Sequence, residues 1–197
     1  MAGFQRGRRR HSVWRAALTA MAKMTTSTAP LLAAGVGLAL LTAAPARAEN
    51  PEGDPDFISF GVGYFDAHRQ RDEAIEGRLE YHSNKEFWYL KPFGGVMVNC
   101  DKAFNIFAGV QMDIYIGDRI VLTPSFAPGY YNKGDGWDLG FPIEFRSQFE
   151  VAFRFDDATR LGLSINHLSN ASLDDRNPGV ESVALTLAVP LRNFPKL

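Results

Sequence analysis

The stretch Pro142-Ile143-Glu144-Phe145-Arg146-Ser147-Gln148-Phe149-Glu150-Val151-Ala152-Phe153-Arg154-Phe155 alternates with a period of two. Ile143, Phe145, Phe149, Val151, Phe153 and Phe155 share one face, and Glu144, Arg146, Gln148, Glu150 and Arg154 share the other. Successive side chains of a β-strand point to opposite faces, so the pattern predicts a strand with one apolar and one charged side. Seven further stretches alternate in the same way: Phe57–Phe65, Ala74–His82, Trp88–Asn99, Ala103–Ile116, Ile120–Tyr131, Arg160–Asn170 and Glu181–Leu191. In the second, Glu76, Arg78, Glu80 and His82 fall together; in the fourth, Asn105, Gln111 and Asp113 oppose Phe104, Ile106, Val110, Met112, Ile114 and Ile116. Helical periodicity is hard to find. The chain therefore reads as all-β, with most stretches near the roughly ten residues a tilted strand needs to cross a bilayer.

Parity alone does not say which face points outward. A soluble, lipocalin-like barrel would turn the apolar face inward. Three features favour an eight-stranded antiparallel transmembrane barrel of the outer-membrane type. The polar faces mix charge signs and can pair within a narrow lumen. Aromatic residues (Tyr64, Trp88, Tyr130, Tyr131, Phe155) cluster at strand ends, as an interfacial girdle does. No helix follows the strands. With both termini on the periplasmic side, the even-to-odd connections should be short. They are His82–Phe87, Gly117-Asp118-Arg119 and Asp156–Thr159; the outer connections are Asp66–Glu73, Cys100–Lys102, Asn132–Gly140 and Ala171–Val180. The Cys100–Lys102 connection is the short one among the outer set.

Ahead of the strands, residues 1–48 carry Arg6, Arg8, Arg9, Arg10, Arg15, Lys23 and Arg47 and no acidic residue. An apolar run, Leu31 to Ala44, precedes Ala46-Arg47-Ala48, a small-x-small pattern. This predicts a secretory signal cleaved before Glu49, leaving 49–197 as the barrel. The run is short for a membrane anchor, Met21 and Met24 are alternative starts, and a twin-arginine reading of Arg8-Arg9-Arg10 conflicts with export of an unfolded barrel. The whole chain has 21 basic and 22 acidic residues, a net −1. Removing seven basic residues leaves 14 against 22, or −8, and nothing in that balance suggests a nucleic-acid partner, which would require a basic face. Cys100 is the only cysteine, so no intrachain disulfide and no cysteine metal cluster can form. His11, His68 and His82 lack a matching ligand set, which argues against a metal site.

In Arg160–Asn170, Leu161, Leu163 and Ile165 set the apolar parity, and that parity continues into His167 and Ser169. In the last strand Val183, Leu185, Leu187 and Val189 set it, and extending backward reaches Glu181. Three polar groups thus sit on the lipid-facing parity, near the outer ends of adjacent strands. Ionisable groups there are tolerated only near the interface. One reading is a polar membrane rim. The other is a hydrolytic triad, in which an imidazole takes a serine's proton and a carboxylate orients the imidazole.

The segment His167-x-Ser169-Asn170-Ala171, followed by Asn177-x-x-x-Glu181-Ser182, resembles the signature of the PagL-type lipid A 3-O-deacylase family. The match is close over the last two strands and architectural elsewhere. The resemblance implies Ser169 as nucleophile, His167 as general base and then acid, Glu181 as its orienter, and Asn170 as an oxyanion-hole donor. Ser172 stands where the family commonly has glycine, whose backbone N–H is held to share the oxyanion hole; a serine keeps the N–H but not every glycine conformation. Asn177 would shape the last loop. The implied reaction removes the ester-linked 3-hydroxyacyl chain at the 3-position of lipid A in the outer leaflet. It needs no cofactor, takes lipid A or lipopolysaccharide as partner in the outer membrane, and leaves a homodimer open. The rival readings are a non-catalytic adhesion or structural barrel and a lipid A acyltransferase of related architecture.

Overall fold

The structure, a computed structural model, describes Ala46–Arg47 and residues 54–194. Strands β1 (Phe57–Phe65), β2 (Ala74–His82), β3 (Lys91–Asn99), β4 (Phe104–Gln111, resuming at Ile114–Ile116), β5 (Ile120–Asn132), β6 (Ile143–Arg154), β7 (Arg160–Ser169) and β8 (Val180–Pro190) follow in order. Each pairs antiparallel with its sequence neighbour, and β8 pairs with β1, which closes the sheet into an eight-stranded barrel. Closure leaves no sheet edge, as a bilayer demands of a spanning sheet. Ala46–Arg47 form a two-residue strand against Tyr115–Ile116. The remainder of the segment read as a signal lies outside the described residues.

Burial settles the question that parity leaves open. The charged faces are inside: Glu144 is 0% exposed and Arg146 3%, whereas their neighbours Phe149 and Val151 are each 43% exposed. The barrel is inverted, with an apolar belt of Phe60, Val62, Ile75, Leu79, Ile106, Leu163, Ile165 and Leu185 on its outside. Only an apolar solvent makes that arrangement favourable.

Inside, many of the charges pair with one another, while both Glu144 carboxylate oxygens are buried without a hydrogen-bond partner. Arg78 donates to Glu76 at 2.6 Å, Arg146 to Glu80 at 2.8 Å, and Lys91 to Asp113 at 2.8 Å. Arg160 bridges Asp113 and Asp54 at 3.1 and 2.6 Å. Such pairs are strongly destabilising to break because the remaining partner stays buried and unpaired. Towards the end that carries the long connections, the lumen becomes apolar. Phe65, Ala74, Phe93, Met97, Phe107, Tyr131, Leu139, Leu168 and Val180 pack there beneath Trp137. Tyr131, expected in the interfacial girdle, is one of them. It points inward and its hydroxyl donates to the Trp137 carbonyl at 2.9 Å.

Two strands differ from the sequence expectation by more than a one-residue shift at an end. β3 begins at Lys91 rather than Trp88, because Trp88 and Tyr89 both take positive φ (51° and 68°) in a two-residue turn. Phe87 and Leu90 exchange both backbone hydrogen bonds across it, the geometry of a type I′ hairpin. β4 breaks at Met112–Asp113, opposite Pro124 of β5. The Met112 N–H still donates to the Pro124 carbonyl at 3.1 Å, but proline has no N–H to return the bond.

Candidate active site

β7 and β8 pair in register, with Glu181 opposite His167 and Val180 opposite Leu168. On the other side of β7, Ser147 of β6 stands opposite His167 and Phe145 opposite Ser169. The row Ser147–His167–Glu181 therefore crosses three strands on the outer face of the wall. Its polarity interrupts the apolar belt, with Ile165, Phe149 and Val183 exposed just below. Between these residues, Leu168 and Val180 point inward and are 2% and 1% exposed. Their burial in the apolar half of the lumen fixes which way the alternating neighbours His167 and Glu181 must face.

His167 Nδ1 lies 3.0 Å from Glu181 Oε1. The imidazole is 45% exposed and the carboxylate 23%, so the pair is open to a molecule arriving along the wall. With Nδ1 engaged by the carboxylate, Nε2 is the nitrogen left to accept a proton. Ser169 is half-buried on the same face, one residue pair further along β7. Two open grooves flank Ile165. One, of about 330 Å³, is lined by Ser147, Phe149, Ile165, His167 and Glu181. The other, of about 420 Å³, is lined by Ala67, His68, Ile165, Glu181 and Val183.

The loop after β7 is built around Asn170. Its side chain is fully buried and faces inward, as strict alternation requires. Nδ2 donates to the carbonyls of Leu139 and Arg176 at 3.0 and 2.8 Å, while Oδ1 accepts the Ser172 N–H at 3.0 Å. The Asn170 N–H in turn donates to Asn177 Oδ1 at 3.1 Å. Leu173 N–H returns to the Asn170 carbonyl at 3.0 Å across Ala171 and Ser172, whose φ values are 53° and 63°. This is a type I′ turn made without glycine. As folded, both expected oxyanion donors are paired internally, and Asn177 is a loop-organising acceptor. In the neighbouring β5–β6 loop, the Gly140 N–H and the Lys133 ammonium hold the Asp138 carboxyl below its ordinary value.

Sequence reasoning did not single out Ser147, Gly179 or the β1–β2 loop. Ser147 was findable as the one polar residue on the outward parity of β6. Gly179 has φ +61°, and a Cβ placed on it would sit 2.8 Å from His167 Cε1. Nothing in the sequence announces that contact. Among the described residues no group of three or more histidines, cysteines or carboxylates is arranged to hold a metal ion.

The molecule is thus a transmembrane β-barrel carrying a histidine–carboxylate pair and a serine on the outer side of its wall. The family model for PagL, lipid A 3-O-deacylase, matches residues 58–190, and the chain belongs to that family. Among solved structures, the crystal structure of the outer membrane enzyme PagL aligns with a TM-score of 0.57 and 20% identity, covering 69% of this chain and 99% of that one. A de novo designed transmembrane β-barrel aligns at 0.51 and 13%, covering 72% and 98%. At these identities both likenesses speak for the fold alone. No curated protein sequence matches the chain.

Proposed function

We propose that the protein is a lipid A 3-O-deacylase of the outer membrane, a serine esterase using Ser169, His167 and Glu181. The observation that carries this reading is the His167–Glu181 hydrogen bond on the outside of the barrel wall, with Ser169 on the same face. A lumen-facing triad would suit a soluble substrate; a wall-facing one suits a substrate that resides in the membrane. On this reading residues 1–48 are removed on export and the loop end faces the outer leaflet, where lipid A diffuses sideways into the grooves beside Ile165.

The chemistry follows from the positions. Ser169 Oγ attacks the ester carbonyl carbon as its proton passes to His167 Nε2, and Glu181 stabilises the imidazolium that forms. The tetrahedral oxyanion collapses, the C–O bond to the sugar breaks, and the imidazolium returns its proton to the departing sugar oxygen. A water then attacks the acyl-serine by the same route, releasing the hydroxy fatty acid and restoring Ser169. Asn170 and Ser172 serve the oxyanion by exchanging their present partners for it. A hydrogen bond to a charged oxygen is about twice as strong as a neutral one, whose net contribution is about 1 kcal/mol, so the exchange is favourable when charge develops for a donor with one neutral bond to release, as the Asn170 and Ser172 N–H groups have.

Mass spectrometry of lipid A from cells making the wild type or Ser169→Ala tests this. The wild type should remove one hydroxyacyl chain, appearing as free fatty acid, and the variant should leave it in place. Unchanged lipid A in wild-type cells defeats the proposal, and transfer of the chain to another acceptor would make the protein an acyltransferase instead.

A further inference from the structure

We infer that Gly179, clamped by the β1–β2 loop, is a positioning residue that sets the orientation of the His167 ring; the inference rests on the triad reading above. An imidazole tethered only through Nδ1 can still swing about its side-chain torsions, and the His167 side chain is nearly half exposed. Its opposite edge is the one that must meet the serine. That edge lies against the Gly179 backbone: a Cβ there would be 2.8 Å from His167 Cε1 and 3.5 Å from Nε2. Gly179 thus acts as a stop whose fit depends on having no side chain, and its φ of +61° independently favours glycine.

A stop must itself be held. The residue before it, Pro178, accepts a hydrogen bond at its carbonyl from Arg69 Nη1. The residue after it, Val180, is buried in the lumen core. One position further on, the Glu181 carbonyl accepts the Ala67 N–H at 2.8 Å. Arg69 and Ala67 both belong to the β1–β2 loop, 109 residues from Pro178 in the case of Arg69. That loop is braced in turn. The Asp66 carboxylate accepts the N–H groups of Arg71 and Asp72 at 2.5 and 2.9 Å, and the Asp66 carbonyl accepts the Gln70 N–H at 3.1 Å. The loop therefore grips the 178–181 segment on both sides of Gly179. In this arrangement the first hairpin, which supplies none of the reacting groups, determines how squarely Nε2 presents to Ser169.

The test is the rate at which a fluorophosphonate ester labels Ser169 in the folded barrel, which reads histidine-assisted nucleophilicity without lipid recognition, with lipid A deacylation followed in parallel. A misplacement of about 1 Å can lower a rate on the order of 100-fold. Gly179→Ala should slow labelling by about that factor and lower kcat in step, with KM within about twofold because binding along the wall is untouched. Arg69→Ala, a change at an exposed side chain, should slow labelling by roughly tenfold, since it loosens the stop without occupying its space. Arg69→Lys keeps a donor for the Pro178 carbonyl and should recover most of the rate. If Gly179→Ala fails to reach the heat-modifiable folded form, Arg69→Ala decides. Wild-type labelling in Arg69→Ala, or in folded Gly179→Ala, overturns the inference while leaving the triad standing. Deacylation that survives in Ser169→Ala overturns the triad reading itself, and this inference with it.

Discussion

His167 and Glu181 are ionisable groups on a surface that faces lipid, and depth decides whether that is tolerable. A charge on the lipid face costs about 2–4 kcal/mol at the bilayer midplane and about 0–1 kcal/mol near the interface. Both residues lie within the loop-end turns of their strands, two residues before β7 ends and one after β8 begins, where the penalty is small. Strain at this end is more informative. Ala171 and Ser172 hold a type I′ turn with φ of 53° and 63°, a conformation that costs an L-residue about 1–2 kcal/mol. Ser172→Gly should relieve that strain and give back up to about 1 kcal/mol through unfolded-chain entropy. The expected net result is a modestly more rigid loop, measured as slower proteolytic nicking between Ala171 and Gly179 with the Asn170 Oδ1 acceptor still engaged. Faster nicking would mean that the serine side chain contributes contacts outweighing the strain. Parity in the sequence was sufficient to bring His167 and Glu181 to one face and to turn Asn170 inward. The partners that bind Asn170, Leu139 and Arg176 carbonyls, and the stop at Gly179 were not legible, because backbone groups and absent side chains leave no mark in a residue pattern.

At the scale of elements, the wall-facing site is governed by residues facing the other way. Leu168 and Val180 form a cross-strand pair buried in the apolar half of the lumen. They hold the ends of β7 and β8 flat against the barrel just where the polar row begins. Leu168→Ala would open a cavity there and should destabilise the barrel by about 2–5 kcal/mol, read as a lower urea midpoint for unfolding from lipid vesicles. Deacylase activity should fall more than the stability loss implies, because the strand end that carries His167 and Ser169 loses its anchor. If activity is unchanged in the folded fraction, the strand end is held by its backbone ladder instead. The eight strands themselves were legible from period-two alternation. The turn at Trp88–Tyr89 was not, since aromatic residues read as strand formers and the favoured type I′ pair is Asn-Gly. The break in β4 has its cause in another strand, at Pro124, and sequence inspection of β4 alone cannot reveal it.

For the whole molecule, the defining property is inversion: apolar groups outside, charge within. Alternation is symmetric between this arrangement and its opposite, which is why the sequence required secondary cues, mixed-sign polar faces and aromatic strand ends, to choose. The inversion makes stability depend on ionisation at the turn end of the barrel. There Asp54, from the segment before β1, accepts from Arg160 at 2.6 Å, from Arg154 at 2.8 Å and from the Tyr115 hydroxyl at 2.5 Å. Burial pushes its carboxyl up, but Arg160, the Tyr115 hydroxyl and Arg154 together outweigh burial and hold it below the ordinary 3.8. In the unfolded chain Asp54 binds its proton at the ordinary value, so the folded state is favoured by the ionised form at every pH above it. That contribution is lost as pH falls through 3.8 towards the lower folded value. Asp54→Asn removes the charge at all pH. Breaking a buried pair costs about 3–5 kcal/mol, and the loss here should fall at the low end because Arg160 keeps Asp113. Urea midpoints of wild type and variant in lipid vesicles should therefore be well separated near pH 7 and converge as pH falls through 3.8 towards the lower folded value, while the other lumen carboxylates titrate equally in both proteins and cancel. A separation that persists unchanged into acid would mean that Asp54 acts by shape and hydrogen bonding, and that the floor of the barrel does not depend on its charge.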